Sequence, residues 1–299
     1  MIDKLDFILA LAREKHFGRA AEACGVTQPT LSAGVKQLEE TFGVLLVNRG
    51  SRFQDFTPEG ERVLDWARRI VGDARSMRQE IHALKHGLAG RLRLAVVPTA
   101  LAMVEPLTTP YRARHPEVQF TILSRTSTEI LGLLENLEID AGLTYLDNEP
   151  LGRVTAVPLY NERYRLLVSA DAPLGDRKTV TWADAARVPL CLLTPDMQNR
   201  RIIERLLRDT GIDPNITLES DSMVLLYSHV RTGRWASVMP ARLATSLGLT
   251  ESNVLRAIPI VEPEASHTIG LVAPAREPMT PLTAALVTEA RRVAPLLAD

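Results

Sequence analysis

Seven apolar residues, Val63, Ala67, Ile70, Ala74, Met77, Ile81 and Leu84, recur at alternating spacings of four and three. That rhythm keeps one side of a helix apolar for three heptads and does not fit a strand, whose side chains alternate with a period of two. Thr57 followed by Pro58 supplies a cap and a first-turn proline, and Gly87 follows the last turn. The pattern predicts one helix over 58–87, about 45 Å long at 1.5 Å per residue. Such a stripe can leave water by folding onto its own domain or by pairing with the helix of a second copy. Its length favours the second.

The helix divides a chain of 299 residues, enough for two or three domains. Residues 1–57 read as short helices followed by a hairpin. From about residue 91 onward, β-rich runs alternate with helical patterns, which indicates parallel α/β architecture. Composition is that of an ordinary globular protein, and no run reaches the ~18 consecutive apolar residues of a membrane helix. The N-terminus, MIDKLDFILALAREKHF, mixes charges among its apolar residues and so lacks the uninterrupted core of a secretory signal. A cytoplasmic location with no membrane association is expected. Cys24 in an Ala-rich helical segment and Cys191 in VPLCLL read as small buried hydrophobes rather than as a redox pair or metal ligands.

Net charge is −1, and residues 1–90 hold 13 Lys/Arg against 12 Asp/Glu. Any basic footprint for nucleic acid must therefore be local, and the motifs have to carry the case. GRAAEACGVTQPTLSAGVKQ, residues 18–37, reads as two short helices around a turn at Gly25. Small alanines at 20, 21 and 23 let the second helix approach closely. That helix starts at Thr27, a cap, with Pro29 tolerated in its first turn. Leu31, Val35, Leu38 and Phe42 form its inward stripe. Thr27, Gln28, Pro29, Thr30, Ser32 and Lys36 lie largely off that stripe. Gln can bond an adenine edge, Ser and Thr can reach bases or phosphates, and Lys36 suits a phosphate. Next, two apolar segments flank Arg49-Gly50-Ser51-Arg52. This is a hairpin wing whose arginines and serine can grip phosphates or enter a minor groove.

FGRAAEACGVTQPTLSAGVKQLEETFGVLLVNRGSRFQDFTPEG, with A-A-E, T-Q-P-T-L-S, L-E-x-x-F-G, R-G-S-R and T-P-E-G in this order, resembles the N-terminal region of LysR-type transcriptional regulators. The resemblance implies that residues 18–37 are the helix-turn-helix, with Gln28, Pro29 and Ser32 at the DNA surface. Ala33 departs from it, standing where many relatives carry a basic residue. The implied fold is an N-terminal winged helix-turn-helix, a long linker helix, and a C-terminal two-lobed, periplasmic-binding-protein-like α/β effector domain. The boundaries are then 1–57, 58–87 and 91–299, with lobe I at 91–161 and 268–299 and lobe II at 162–267. The implied partners are double-stranded promoter DNA, a small-molecule effector between the lobes, RNA polymerase, and further copies in a homodimer through 58–87 and a homotetramer.

Within the α/β region, hydroxyls recur where a strand passes into a helix. Pro98-Thr99 opens a helix to about Ala113; Thr126 and Glu129 make a capping box; Thr194-Pro195 reads as another cap and proline; Asp221-Ser222 opens an apolar helix. Ligands of open α/β sheets bind at that edge, and helix N-termini there favour anions. Thr99, Ala100, Ser127, Thr128, Thr194 and Pro195 are the effector-pocket candidates, with plain helix capping as the competing reading of each. A small carboxylate or other anion is the expected effector, and Arg200 or Arg125 the cation to balance it. No G-x-S-x-G, P-loop, G-x-G-x-x-G or H-E-x-x-H motif is present. His82 and His86 share a helical face without a nearby Cys or acid pair. The sequence thus reads as no enzyme, with no cofactor and no metal.

Overall fold

The computed structural model describes residues 1–49, 53–249 and 254–297. The chain forms two compact units: Met1–Gly87 with the short segments Glu135–Glu138 and Arg276–Pro281, and Leu88–Leu134 with Ile139–Ala275 and Leu282–Asp299.

The first unit runs α1 (Ile2–Glu14), α2 (Phe17–Ala23), α3 (Gln28–Phe42), β1 (Val47–Arg49), β2 (Phe53–Phe56) and α4 (Pro58–His86). Apolar residues at helical spacing make its core: Leu5, Ile8 and Leu11 of α1, Ala20 and Ala21 of α2, Leu31, Val35 and Leu38 of α3, and Leu64, Ala67 and Val71 of α4. Phe42 is not part of that stripe. It is the last helical residue, is 46% exposed, and Gly43 (φ +69°) already turns the chain away. The inward position of that turn belongs to Glu39.

The long helix also departs from the simple seam. Its N-terminal half packs on α1, so Ala67 and Ala74 are buried within this chain and Val63 is half-buried. Ile70, Met77, Ile81 and Leu84 remain exposed, with Trp66 beside them. A seven-residue apolar rhythm states that a face is apolar and leaves its partner unstated. Here the chain's own core covers part of that face and leaves the rest exposed.

The second unit runs β3 (Gly90–Val96), a 3-10 helix (Pro98–Met103), α5 (Glu105–Arg114), β4 (Val118–Ser124), α6 (Ser127–Glu135), β5 (Ala141–Tyr145), β6 (Val154–Ser169), β7 (Val180–Thr181), α7 (Trp182–Arg187), β8 (Leu190–Leu193), α8 (Gln198–Arg208), β9 (Ile216–Ser220), α9 (Met223–Val230), β10 (Ser237–Pro240), α10 (Ala241–Ser246), β11 (Leu255–Val261), β12 (Ser266–Pro274) and α11 (Pro281–Leu297). The helix expected from Pro98 to Ala113 is interrupted at Val104; Pro106, lacking an N–H, sits in the first turn of the restarted helix.

The strand order is β4-β3-β5-β12-β6-β11-β7, with β10 also on β6. β3 is parallel to β4 and β5, as βαβ connections require. β6 is the long member. From Val154 to Arg163 it pairs with β12, and from Tyr164 onward with β10 and then β11. The chain therefore crosses from one lobe to the other at 163–164 and returns at Ser266. The parallel pair β8–β9 joins the second lobe through a bridge between Leu190 and Ala236. Among the described residues, no helix is long and apolar enough to cross a membrane.

The T-P-E-G run has a steric explanation. Thr57 Oγ1 accepts the Gly60 N–H at 2.9 Å and donates to Leu45 O at 2.7 Å. This draws the first turn of α4 against the chain entering the wing. A Cβ on Gly60 would stand 2.0 Å from Leu46 O, a backbone atom with nowhere to go. Gly60→Ala should therefore lower stability by about 2 kcal/mol or more, while the αL Gly25, with open space around its Cβ position, should lose only about 1 kcal/mol on the same change. Urea unfolding of the two variants measures both.

Candidate DNA-reading face and effector cleft

The first functional surface is built by α2 and α3. His16 caps α2 through Nδ1, which accepts the Gly18 and Arg19 N–H groups at 3.1 and 3.3 Å. Gly25 (φ +66°) makes the turn, and Thr27 caps α3 by accepting the Thr30 N–H at 3.4 Å. Gly34 faces α1 so closely that a Cβ would meet the Phe7 ring at 2.6 Å. With Leu31, Gly34, Val35 and Leu38 inward, the opposite side of α3 is polar and open. Thr27, Gln28, Pro29, Thr30 and Lys36 are exposed, Ser32 is half-buried, and Ala33 is exposed among them. Lys36 pairs loosely with Glu40 at 3.6 Å, both well exposed; such a pair is worth little and yields readily to a phosphate.

The wing follows. Asn48 Nδ2 donates to Asp55 Oδ1 at 2.6 Å across the β1–β2 pair, and Phe53 stacks edgewise on Phe17 and Phe56 at 6.3 and 5.2 Å. Arg49 ends β1; its side chain, and Ser51 and Arg52 entirely, lie outside the described residues. Sequence reasoning assigned no role to Glu39. Its buried carboxylate accepts the Leu46 N–H at 3.0 Å and so fixes the chain between α3 and the wing. The signal was the L-E-x-x-F-G run, in which an acid stands on the buried side of a helix.

The second surface is a cleft of about 530 Å³ in the α/β unit, lined by Pro98, Leu101 and Ser124–Thr126 with Glu129 on one side and by Asp196, Met197 and Asp221–Val224 on the other. The sequence candidates stand beside this lining rather than in it. Thr99 and Ala100 are buried between Pro98 and Leu101, and Thr99 Oγ1 lies 3.4 Å from the Tyr145 hydroxyl. Ser127 is buried 3.4 Å from Glu149, and Thr128 is exposed. Thr194 and Pro195 cap no helix: α8 begins at Gln198, and residues 194–197 form a turn closed by Met197 N–H on Thr194 O at 3.0 Å. The Thr126–Glu129 capping box is present, with both bonds made (3.2 and 2.8 Å), and Ser222 caps α9.

The lining carries more acids than cations. The lining carries one cation, Arg125, whose Nη1 donates to Ser124 O at 2.7 Å, and three acids, Glu129, Asp196 and Asp221. Arg200 takes no part. It is buried, with bonds to Leu193 O at 2.8 Å, Glu219 at 2.6 Å and Glu204 at 3.1 Å. Burial pushes the Cys191 thiol up to about 11, and burial followed by the charge of Asp6 raises that of Cys24. Both remain thiols at neutral pH.

A helix pair with an open polar face, joined to a two-lobed domain with a cleft, defines a ligand-responsive DNA-binding regulator. Residues 2–61 match the description "Bacterial regulatory helix-turn-helix protein, lysR family", and residues 85–295 match "LysR substrate binding domain". The protein belongs to the LysR family of transcriptional regulators, which act by binding DNA and small effectors and are not enzymes. It is 28% identical over 272 residues to the DNA-binding transcriptional dual regulator OxyR of Escherichia coli, covering 91% of this chain and 88% of that one. A full-length OxyR variant from Pseudomonas aeruginosa superposes with a TM-score of 0.76 at 28% identity, covering 99% and 96% of the two chains. Full-length CbnR complexed with its target DNA shares the fold, with a TM-score of 0.62 at 22% identity over 98% and 100%.

Proposed function

We propose that this regulator reads its promoter through the first turns of α3, with Gln28, Thr30 and Ser32 toward base edges and Thr27, Pro29 and Lys36 along the backbone, while Arg49, Ser51 and Arg52 of the wing take phosphates or the neighbouring minor groove. The supporting observation is the division of α3 into a buried apolar side and an exposed polar side that begins at its N-terminus. A helix presented in this way enters a major groove N-terminus first. The work is done in the cytoplasm on double-stranded DNA.

The assembly proposed is a homodimer formed through α4, extended to a homotetramer. Ile70, Met77, Ile81 and Leu84 are 40%, 59%, 53% and 77% exposed, and fully burying such side chains stabilises an interface by about 1.5–3 kcal/mol each. The effector occupies the cleft of the α/β unit, with Thr99, Ala100, Ser127, Thr128, Thr194 and Pro195 backing its walls. The surplus of acids favours a neutral or cationic solute rich in hydrogen-bond donors over the carboxylate expected from sequence. Several relatives are named as hydrogen peroxide-inducible genes activators. Peroxide sensing through a thiol would need a thiolate, and Cys24 and Cys191 are both held protonated. Effector binding shifts the lobes, hence the spacing of paired α3 helices, the bend of the promoter and the access of RNA polymerase.

Three outcomes test this reading. On DNA enriched from a random pool by the protein itself, Gln28→Ala should cost about 1–3 kcal/mol of specific affinity without weakening nonspecific binding, whereas Lys36→Ala should weaken both and reduce the salt slope by about one. Equal losses on all sequences from Gln28→Ala would remove it from base reading. Ile70→Glu combined with Ile81→Glu should give monomers by light scattering; an unchanged mass would place the interface elsewhere. In thermal-shift titrations, small amines should stabilise the protein more than carboxylates of equal size, and Asp221→Asn should remove that preference. A preference for carboxylates would restore the anion.

A further inference from the structure

The strand that carries the chain between the lobes holds a carboxyl group not used by either function above. Glu162 stands opposite His267 near the end of the β6–β12 pairing, two residues before β6 joins β10. It is fully buried. Tyr145, the last residue of β5 in the first lobe, donates its hydroxyl to Glu162 Oε1. Asn199, in the first turn of α8 in the second lobe, donates from Nδ2 to the Tyr145 oxygen at 2.9 Å and more loosely to Glu162 Oε1 at 3.4 Å. One carboxyl oxygen thus ties a strand of one lobe, the crossing strand and a helix of the other. The second oxygen, Oε2, is buried without a partner.

Among the described residues, no cation is placed against this carboxyl. On its own strand it is flanked by the Tyr160 and Tyr164 hydroxyls, from the first lobe come Tyr145, Asp147 and Thr99, and from α8 comes the neutral Asn199. Arg200 is turned to Glu204 and Glu219, Arg242 lies over the Tyr160 ring at 5.0 Å, and His267 stands 3.5 Å from Asp147 and 6.1 Å from the Tyr164 ring. Burial pushes the Glu162 carboxyl up to about 8; the bonds from Tyr145 and Asn199 offset only part of that, and the charge of Asp147 adds to it.

We propose that Glu162 is a proton-linked clasp between the two lobes of the effector domain: protonated, it holds β5, β6 and α8 together, and ionised, it favours a separated arrangement in which water reaches the carboxylate. The sign follows from linkage. When the lobes part, the carboxyl is solvated and titrates near 4.5, while in the closed arrangement it titrates near 8. Between those limits the open form binds fewer protons, so each unit of rising pH shifts the balance toward it by up to about tenfold. Below the lower limit and above the upper one the dependence levels off. The clasp is a property of the domain alone; only its regulatory consequence rests on the cleft being the effector site, and an effector that needs closed lobes would bind more weakly as the pH rises.

Hydrogen exchange of the full-length protein, without DNA or effector, tests this directly. With intrinsic exchange rates divided out, peptides covering 141–147, 160–166 and 198–208 should lose at least about tenfold in protection between about pH 6 and about pH 8.5. In Glu162→Gln, a neutral isostere, the loss should disappear. The same loss in both proteins, or none in the unsubstituted one, overturns the clasp. If Glu162→Gln does not fold, infrared difference spectra of the natural sequence with isotope-labelled glutamate decide instead: a protonated carboxyl band should persist at about pH 7 and vanish by about pH 9, and its absence at neutral pH overturns the proposal. Neither readout depends on which solute the cleft binds, so the clasp and the effector assignment fail separately.

Discussion

The junction around Thr57 sets the geometry of α3, the wing and α4. Residues 44–46, between α3 and the wing, are held from both sides. Glu39 of α3 accepts the Leu46 N–H, Thr57 N–H donates to Leu46 O at 3.0 Å, and the Thr57 hydroxyl takes Leu45 O. The same hydroxyl caps α4, and Gly60 lets the helix sit directly on Leu46 O. Helix α3, the wing and α4 therefore share one short stretch of backbone whose polar groups are satisfied in a single arrangement. In the proposed mode of reading, the spacing of two α3 helices on a duplex is fixed by half-site geometry, and slack at this point would be carried through to the bases.

The two surfaces differ in how their positions are held. The helix pair is fixed by small residues and caps close together in sequence, which made it legible: Ala20, Ala21, Gly25, Thr27 and Pro29 each announce their task by type and position. Thr57-Pro58, Thr126 with Glu129, and Ser222 were legible for the same reason, since a cap bonds three residues along its own chain. Thr194-Pro195 has the right residues, yet a cap exists only if the helix begins there, and here the chain spends another turn before Gln198. The seam of α4 was half legible. Its periodicity is real, but burial of Ala67 in its own core depends on α1, more than fifty residues away. The sign of the cleft was not legible. Arg125, Glu129, Asp196 and Asp221 come from three separate stretches, and Arg200 had to be seen bonded to Glu219 before it could be set aside.

Two buried carboxyls show how this domain uses its charges. Glu289 of α11 and Glu162 of β6 both lie out of water, and burial raises the pKa of each. Glu289 bonds the guanidinium groups of Arg114 and Arg292, which outweigh that cost and leave it below the ordinary carboxylate range. Such a site joins α5 to α11 by charge. Glu162 has a hydroxyl and an amide as donors, neither carrying charge, and these do not compensate the loss of solvent. The difference is one of partners and of depth, since the arginines that bond Glu289 are themselves exposed.

That difference also bears on how large a response the domain can give. A regulator that changes shape needs two arrangements separated by a few kcal/mol, so that a ligand with modest preference can move the population. The lobes are also joined by Arg201 bonded to Glu149 and by Gln198 donating to Asp147 O at 3.0 Å. A neutral carboxyl at the crossing adds to these a coupling that loss of a proton weakens. It contributes hydrogen bonds while protonated, and its ionisation opposes closure over a pH range bounded above by about 8. Placing it two residues before β6 changes partners puts that coupling where the least strand pairing must be broken for the lobes to move.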